Sequence, residues 1–152
     1  MITIINIHEF ADGIEEGIAY IHGIWGSSRS LSYYQDALRH SFTSARLPQF
    51  FLLLDAGRPI GCAAIITNDF ISRHDLYPWA ACLYVAESER GKGHGGRLLE
   101  HACLKAKEAG FADIYLTTDH DGYYERYGWQ RIEDGIDLFS GQPSRIYTRH
   151  LL

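Results

Sequence analysis

Residues 83–99 have the sequence Leu83-Tyr-Val-Ala-Glu-Ser-Glu-Arg90-Gly-Lys-Gly-His-Gly-Gly96-Arg-Leu-Leu99. It has the pattern of a buried strand, a short polar loop, a glycine-rich turn and the start of an amphipathic helix. Glycines allow the backbone to approach a ligand closely, and the helix that follows begins with unpaired N–H groups at the positive end of its dipole. The pattern therefore predicts a seat for a phosphate or pyrophosphate, with Arg90 and Arg97 adding positive charge beside it.

The segments on both sides of this stretch predict a β-α-α-β-β-β-α-β-α-β-β order, with one βαβ unit in the middle. This order indicates an α+β fold, in which a mixed, mostly antiparallel central sheet is flanked by helices, in one domain over residues 1–152. The predicted strands are 2–7, 50–54, 60–67, 79–85, 113–117, 129–139 and 144–151, and a short helix is predicted at 122–127.

Helix starts and loops carry their own signals. Asp12-Gly-Ile-Glu15 and Ser32-Tyr-Tyr-Gln35 have capping-box spacing, which predicts that the first two helices begin there. The helical spacing of Ile14, Ile18, Ile21 and Trp25 predicts that Trp25 belongs to the core. Residues 68–78 are polar and irregular, which predicts a mobile loop.

Composition narrows the function classes. The 152 residues are 46% apolar and 22% charged, with a net charge of −5, so the chain is of ordinary globular type. An acidic balance argues against nucleic-acid binding and suits a cationic substrate. No apolar run is long enough to span a membrane and no signal-peptide pattern is present, so we predict a cytoplasmic protein without a membrane partner. The three separated cysteines predict reduced core residues rather than disulfides or a metal site.

Two known phosphate-binding patterns fit poorly. Gly91, Gly93 and Gly96 match the dinucleotide fingerprint G-x-G-x-x-G, and Asp119 ends the next strand, where a ribose-binding acid would lie. In that fingerprint, however, the glycines follow the strand directly, whereas here residues 86–90 intervene. Too few residues follow Gly96 for the remaining units of such a fold. No Walker A string occurs.

Two motifs in the right order carry a family resemblance. Leu83-Tyr-Val85 followed by Arg90-Gly-Lys-Gly-His-Gly95 resembles the acetyl-CoA signature of the GNAT superfamily of N-acetyltransferases. About 30 residues later, Tyr123-Tyr-Glu-Arg-Tyr-Gly-Trp129 resembles the [FY]-Y-E-[KR]-x-G-[FYW] motif of the same superfamily. The predicted strand and helix order fits that family along essentially the whole chain.

The resemblance implies a fold, a cosubstrate and a reaction. It implies the GNAT fold and direct transfer of an acetyl group from acetyl-CoA to a primary amine, with no metal. In this family the fourth and fifth strands splay apart, and the pantetheine lies between them along the fourth strand. The residues implied to bind acetyl-CoA are Leu83, Tyr84 and Val85 for the pantetheine and thioester, and Arg90, Gly91, Lys92, Gly93, His94, Gly95 and Gly96 for the pyrophosphate.

This sequence departs from the family pattern at two places. His94 stands where the family usually has an aliphatic residue. The asparagine that often contacts the cofactor after the fifth strand is missing from Thr117-Thr-Asp-His-Asp-Gly122, and Asp119 or His120 takes its place in the sequence.

The family pattern makes Tyr124 the candidate general acid, because a phenol is protonated at neutral pH and can protonate a departing thiolate. The amine must first lose a proton, and no acid lies within residues 79–85, where some family members keep one. The nearest candidate bases are Asp119, His120 and Asp75, and imidazole titrates in a suitable range. An alternative is that residues 119–121 form a solvated turn.

Several questions stay open at the level of sequence. The alternative functions are a nucleotide-binding oxidoreductase and a non-catalytic module that senses CoA. The amine acceptor, a small molecule or a peptide, is not identified: polyamines, aminoglycoside-like amines, free amino acids and protein N-termini all fit. A homodimer is a further option. Cys82 is a possible acyl carrier, but nothing near it in sequence would lower its pKa, so a core position is favoured.

Overall fold

The computed structural model describes all 152 residues. It contains three α-helices and seven β-strands: β1 (Ile2–Asn6), α1 (Ile14–Trp25), α2 (Leu31–Arg39), β2 (Gln49–Asp55), β3 (Arg58–Ile66), β4 (Trp79–Val85), α3 (His94–Glu108), β5 (Asp113–Thr118), β6 (Gln130–Ile136) and β7 (Pro143–His150). Short 3-10 turns occur at Ile7–Glu9, Glu87–Glu89 and Tyr124–Tyr127. None of the helices has both the length and the apolar character that crossing a membrane requires.

The strands form one seven-stranded sheet in the order β1-β2-β3-β4-β5-β7-β6. All neighbouring strands are antiparallel except β4 and β5, which are parallel. Those two strands share a single aligned pair, Trp79 with Tyr115, at their beginnings. Beyond that pair the ladder stops, so the later halves of β4 and β5 leave backbone groups of the sheet without strand partners.

A β-bulge in β4 lies where the two strands part. Cys62 is aligned with Tyr84 and Ala64 with Ala81, so Cys82 and Leu83 together face one residue of β3. Cys82 has a φ of +52°, which is unusual for a residue with a side chain. A bulge bends its strand and increases its twist, so the end of β4 departs from the line of β5.

The strand β2 explains why helices cover both faces of the sheet. Its residues are buried almost without a break, and successive side chains point to opposite faces. Phe51 and Leu53 pack in the cluster that contains the apolar face of α3. Phe50 and Leu52 pack in the cluster that contains α1 and α2. A continuous apolar strand thus requires two covering layers, and the amphipathic helices supply them.

The predicted fold class and element order are confirmed, with differences at element ends. The helix after the glycines begins at His94, inside the glycine-rich stretch, and the short helix predicted at 122–127 is a 3-10 turn. The doubly wound parallel sheet that a dinucleotide fingerprint requires is not the sheet of this protein, because only β4 and β5 run parallel.

Both capping-box predictions were wrong. Neither α1 nor α2 has a side-chain hydrogen bond at its N-cap, and the N-cap residues are Gly13 and Ser30. The capping box of this protein is at the 3-10 turn after β1, where Asn6 and Glu9 bond each other's backbone. The spacing of polar residues matched the motif, but the chain entered each helix one or two residues away from it.

The prediction that Trp25 lies in the core was also wrong. Trp25 is the last residue of α1 and is 46% exposed, with its ring edge-on to Tyr84 at 5.9 Å between centroids. The loop at 68–78 is irregular but not detached from the core, because Ile71 is buried and the amide of Ser72 donates to Ile136 of β6.

Candidate active site

A groove of about 710 Å³ opens between the ends of β4 and β5 and the start of α3. We call it the glycine-loop groove. Most of the residues predicted to bind the cosubstrate or to catalyse line it: Leu83, Tyr84, Val85, Arg90, Gly91, Gly93, His94, Gly95, His120 and Tyr124. Residues separated by about 40 positions in sequence thus meet in one cleft. Lys92, Gly96 and Asp119 do not line the groove.

The three predicted residues outside the groove have other surroundings. Lys92 is exposed and forms an ion pair with Glu89, with Nζ 3.2 Å from Oε1. Gly96 is buried on the first turn of α3, where a Cβ atom would lie 2.5 Å from the ring of Tyr127. Gly96 therefore permits the packing of that aromatic ring against the helix. Asp119 is exposed, and its backbone carbonyl accepts a hydrogen bond from Arg145.

The glycine loop presents backbone rather than side chains. Gly91 and Gly93 have φ values of +80° and +82°, and nothing lies within 4 Å of where their Cβ atoms would be. Gly93 is the N-cap of α3, and no side chain caps the helix. The first amides of α3 therefore have no intrahelical partners and lie at the positive end of the helix dipole.

His94 adds an unpaired donor or acceptor beside these amides. It is 7% exposed, and its buried Nδ1 atom has no hydrogen-bond partner in the protein. Buried polar atoms are usually paired in native proteins, so this nitrogen is available to bond a ligand that enters the groove. The loop amides, the open space and this nitrogen all fit a pyrophosphate.

Arg90 bonds to the last residue of β4. Its Nε atom donates to the carbonyl oxygen of Val85 at 2.8 Å, and its guanidinium lies 5.6 Å from the centroid of the Tyr84 ring. The remaining guanidinium N–H groups are exposed to solvent beside the glycine loop. Arg90 therefore both fixes the strand end and supplies a positive charge at the groove.

Tyr124 lies on the far wall of the groove, in the 3-10 turn after β5. Burial raises the pKa of its phenol above the ordinary value of 10, and a hydrogen bond with the Thr118 side chain acts in the opposite direction. The phenol is therefore protonated throughout the neutral range. Its neighbours have packing contacts: the Tyr123 ring lies 4.9 Å from that of Tyr124, and Tyr127 packs against Gly96.

A second cavity of about 410 Å³ adjoins the groove, and we call it the aromatic cavity. The two cavities share Leu83 and Tyr124 as lining residues. The rest of its wall comes from α1, α2, the loop before β4, α3, the β6–β7 hairpin and the strands β3, β4 and β5. Its aromatic lining residues are Trp25, Tyr34, Phe70, Tyr124 and Phe139.

Asp69 is the one charged residue in the lining of the aromatic cavity, and the sequence prediction missed it. Burial, with a smaller repulsion from Asp137, raises the pKa of Asp69 to about 7. A carboxyl group with this pKa exchanges a proton near neutral pH, which suits a general base. No sequence motif marks Asp69, because it lies in an irregular loop whose position is set by tertiary packing.

Asp75, Asp121 and His120 are placed less favourably than Asp69 for the role of general base. Asp75 is exposed and paired with Arg73, whose hydrogen bonds hold the pKa of this carboxyl below its usual range. Asp121 accepts from the Tyr147 hydroxyl and lies 3.0 Å from Arg145. His120 is exposed and lines the glycine-loop groove but not the aromatic cavity.

Cys82 lines the aromatic cavity but is poorly suited to carry an acyl group. Burial raises the pKa of its thiol to about 12, so the reactive thiolate is scarce at neutral pH. No three His, Cys, Asp or Glu side chains are grouped in a way that could hold a metal ion.

Comparisons with known proteins agree with this geometry. A family profile described as an acetyltransferase (GNAT) domain matches residues 46–131. A search of curated protein sequences gave no match. Among solved structures, a GNAT-family acetyltransferase from Staphylococcus aureus Mu50 superposes with a TM-score of 0.67 at 18% identity, over 100% of both chains.

Two further structures were determined with a ligand. An aminoglycoside 6′-N-acetyltransferase complexed with coenzyme A gives a TM-score of 0.73 at 13% identity, over 99% of this chain and 97% of that one. A GNAT-family acetyltransferase from Elizabethkingia anophelis with acetyl-CoA bound gives 0.66 at 20% identity, over 99% and 98%. At these identities the similarity demonstrates a shared fold.

The sheet that splays after one parallel pair, with a glycine loop at the start of α3, defines an acyl-CoA N-acyltransferase fold. The profile match covers more than half of the chain. The chain therefore belongs to the GNAT family of acetyl-CoA-dependent acetyltransferases.

Proposed function

We propose that this protein transfers an acetyl group from acetyl-CoA directly to the primary amine of a small molecule or peptide. The observation that carries the proposal is the meeting of two cavities where β4 and β5 part. The glycine-loop groove suits a pyrophosphate and an extended chain, and the aromatic cavity offers room for an acceptor. Leu83 and Tyr124 belong to both, so a thioester and an amine would meet there.

The backbone of this chain would hold the cosubstrate. Amides of Gly91–Gly96 and the charge of Arg90 would bind the pyrophosphate. The edge of Leu83–Val85, which has no strand partner on the side of β5, would pair with the pantetheine amides, as an added strand does. One of its N–H groups would donate to the thioester oxygen as negative charge develops there. Holding the amine beside the thioester removes much of the entropic barrier.

Acetyl-CoA supplies an activated acyl group: one carbon–nitrogen bond forms, one carbon–sulfur bond breaks, and one proton is released overall. The chain's own part is to move protons. A base must take the ammonium proton before the nitrogen can react. Tyr124 would donate its phenol proton to the departing sulfur and recover a proton from solvent or from the product nitrogen.

The alternatives weighed from sequence differ in their ligands and turnover. A nucleotide-binding oxidoreductase would bind NADH, although the mostly antiparallel sheet gives that reading little support. A non-catalytic module would bind acetyl-CoA without releasing thiol. A single domain over residues 1–152, a cytoplasmic location and a homodimer belong to the proposal as predictions, and light scattering measures the oligomeric state.

The test is calorimetric titration with acetyl-CoA and with NADH, followed by a thiol-release assay with a panel of amines. We expect binding of acetyl-CoA, no binding of NADH, and thiol release that depends on an amine. Binding of acetyl-CoA without amine-dependent release across the panel would favour the sensing module. Binding of NADH alone would overturn the proposal.

A further inference from the structure

Most of the side chains that line the aromatic cavity are apolar or aromatic. Of its lining residues, only Asp69 and Thr117 are polar or charged by type; the others are aliphatic, aromatic or cysteine. No Lys, Arg or His side chain lines it. A volume of about 410 Å³ suits a small organic molecule rather than a folded protein segment. The cavity therefore offers one anionic group in an apolar and aromatic wall.

Asp69 is held in place by its own loop. The side chain of the preceding residue, Asn68, donates to the carbonyl of Ile71 at 2.8 Å and accepts from its amide at 3.2 Å. The carbonyl of the following residue, Phe70, accepts from the amide of Leu138 at 2.9 Å. The backbone on both sides of Asp69 is thus fixed, one side within the loop and the other to the β6–β7 hairpin.

The charges around Asp69 leave it without a partner. No cation or hydrogen bond contributes to its pKa, and the charged group that acts on it is another acid, Asp137. Cys82 and Tyr33 lie near it; burial is the main cause of their raised pKa values, and the charge of Asp69 adds to it. A cation that enters the cavity would therefore be the first positive charge that Asp69 meets.

Aromatic rings line the same cavity as Asp69. Phe70 and Phe139, both in the lining, pack with centroids 5.1 Å apart. The electron-rich faces of such rings attract ammonium groups, most strongly where water is excluded. The same rings offer van der Waals contact to a flat apolar body.

We propose that the aromatic cavity binds a small monoamine with an apolar, preferably aromatic body, with its ammonium group on Asp69, and that Asp69 then takes the ammonium proton. The inference rests on the proposed acetyl transfer and names its acceptor class. Before transfer, one proton passes from the ammonium nitrogen to a carboxylate oxygen of Asp69. The products of this step are a neutral amine and a neutral carboxyl group, and the proton later returns to solvent.

This composition disfavours the other acceptor classes. A free amino acid would bring a carboxylate into a cavity that has an acid and no cation. A polyamine or an aminoglycoside would bring several charges, while the lining offers one carboxylate and the hydroxyls of Thr117, Tyr34 and Tyr124. Burying an unpaired charge costs free energy. The cavity therefore disfavours an acceptor with additional charged groups.

The experiment uses three probes in the thiol-release assay with saturating acetyl-CoA: 2-phenylethylamine, L-phenylalanine and 1,4-diaminobutane. L-Phenylalanine is 2-phenylethylamine with an added carboxylate. In 1,4-diaminobutane, a chain that ends in a second ammonium group stands in place of the ring. We expect kcat/KM for 2-phenylethylamine to exceed both others at least tenfold. Equal values, or a preference for either of the other probes, would overturn the acceptor class while leaving acetyl transfer intact.

Asp69→Asn tests the base. We expect kcat with 2-phenylethylamine to fall about 10²-fold, with unchanged calorimetric affinity for acetyl-CoA. The rise of kcat/KM through pH 7 should also disappear. An Asp69→Asn enzyme that keeps its rate and its pH profile would refute the role of Asp69. If the unaltered protein does not bind acetyl-CoA, the proposed function itself is refuted.

Asp137→Asn serves as the matched variant, because Asp137 acts on Asp69 through charge alone and lies outside the cavity lining. An asparagine oxygen can still accept the amide hydrogen bonds that Asp137 receives from Phe139 and Ser140. We expect a small shift of the rise of kcat/KM to lower pH, because burial, the main cause of the raised pKa of Asp69, remains and only the smaller repulsion is gone. A profile that does not move would show that the titrating base is another group.

Discussion

A pair of glycine substitutions tests whether the glycine loop binds acetyl-CoA. Gly93, at the N-cap of α3, has a φ of +82°, and Gly57, in the turn between β2 and β3, has a φ of +83°. Nothing lies within 4 Å of a Cβ atom built on either residue. Gly93→Ala and Gly57→Ala therefore impose the same backbone strain, and only the first adds a methyl group in the groove.

The backbone strain determines how much each alanine variant is destabilised. A left-handed conformation costs an L-residue about 1–2 kcal/mol. Each kcal/mol lowers the melting temperature by roughly 2–4 °C in a domain of this size. Both variants should therefore lose a similar few degrees and remain folded at room temperature.

Affinity should separate the two variants. In Gly93→Ala the methyl group occupies open space over the first amides of α3, where the pyrophosphate must approach the backbone. We expect at least a tenfold loss of acetyl-CoA affinity, about 1.4 kcal/mol. Gly57→Ala should bind as the unaltered protein does, because its turn joins β2 to β3 and is not part of the groove lining.

Calorimetric titration at 25 °C measures both affinities, and differential scanning measures both melting temperatures. Affinities in both variants that are the same as in the unaltered protein would remove the glycine loop from the binding site. An equal loss in both would mean that global destabilisation, rather than the added methyl group, weakens binding. Either result would contradict the assignment of the groove.

The remaining predictions concern single side chains. Tyr124→Phe should lower kcat about 10²-fold in the thiol-release assay, because it removes the acid and keeps the ring; Tyr127→Phe should lose far less, and the reverse order would show that the wrong tyrosine was chosen. His94→Leu should raise the melting temperature of the free protein, because it removes a buried unpaired nitrogen whose desolvation costs roughly 1–3 kcal/mol. The same variant should bind acetyl-CoA more weakly. Unchanged affinity by calorimetry would mean that Nδ1 does not contact the ligand. Asp69→Asn should be more stable than the unaltered protein at pH 8 and similar at pH 4. Because the pKa of Asp69 is raised to about 7, the folded state binds more protons than the unfolded state between those limits and loses stability as pH rises. A constant difference in melting temperature between the two proteins at all pH values would contradict this prediction.

The glycine-loop groove could be predicted from sequence because most of its parts are contiguous. Strand, loop, glycines and helix start all lie within residues 83–99, and each has its own residue signature. Tyr124 was found in the same way, from a compact motif. Local patterns of this kind depend on backbone conformation, which the neighbouring residues largely determine.

The aromatic cavity could not be predicted because its wall is assembled from distant segments. Trp25 ends α1, Phe70 lies in the loop before β4, and Phe139 lies at the β6–β7 hairpin. Helical spacing assigned Trp25 to the core, but spacing cannot say whether the partner surface extends to the last turn of a helix. Asp69 has no motif at all, and its raised pKa arises from burial that only the tertiary structure creates.

The two cavities hold titratable groups whose environments suit opposite tasks. Asp69, with a pKa near 7, is largely ionised at pH 8, whereas Tyr124, with a pKa raised above 10, is still protonated. Pairs of this kind assign the base and the acid by environment rather than by residue type. Asp69 and Tyr124 both line the aromatic cavity, so the proposed base and the proposed acid belong to the same cleft.

This arrangement makes a prediction for His120, one of the base candidates named from the sequence. Variants separate it from Asp69. His120 lines the groove but not the aromatic cavity, so His120→Gln should keep the rise of kcat/KM through pH 7, and Asp69→Asn should abolish it. The opposite pattern would place the base in the groove, and would mean that the ammonium group loses its proton beside the cosubstrate rather than inside the aromatic cavity.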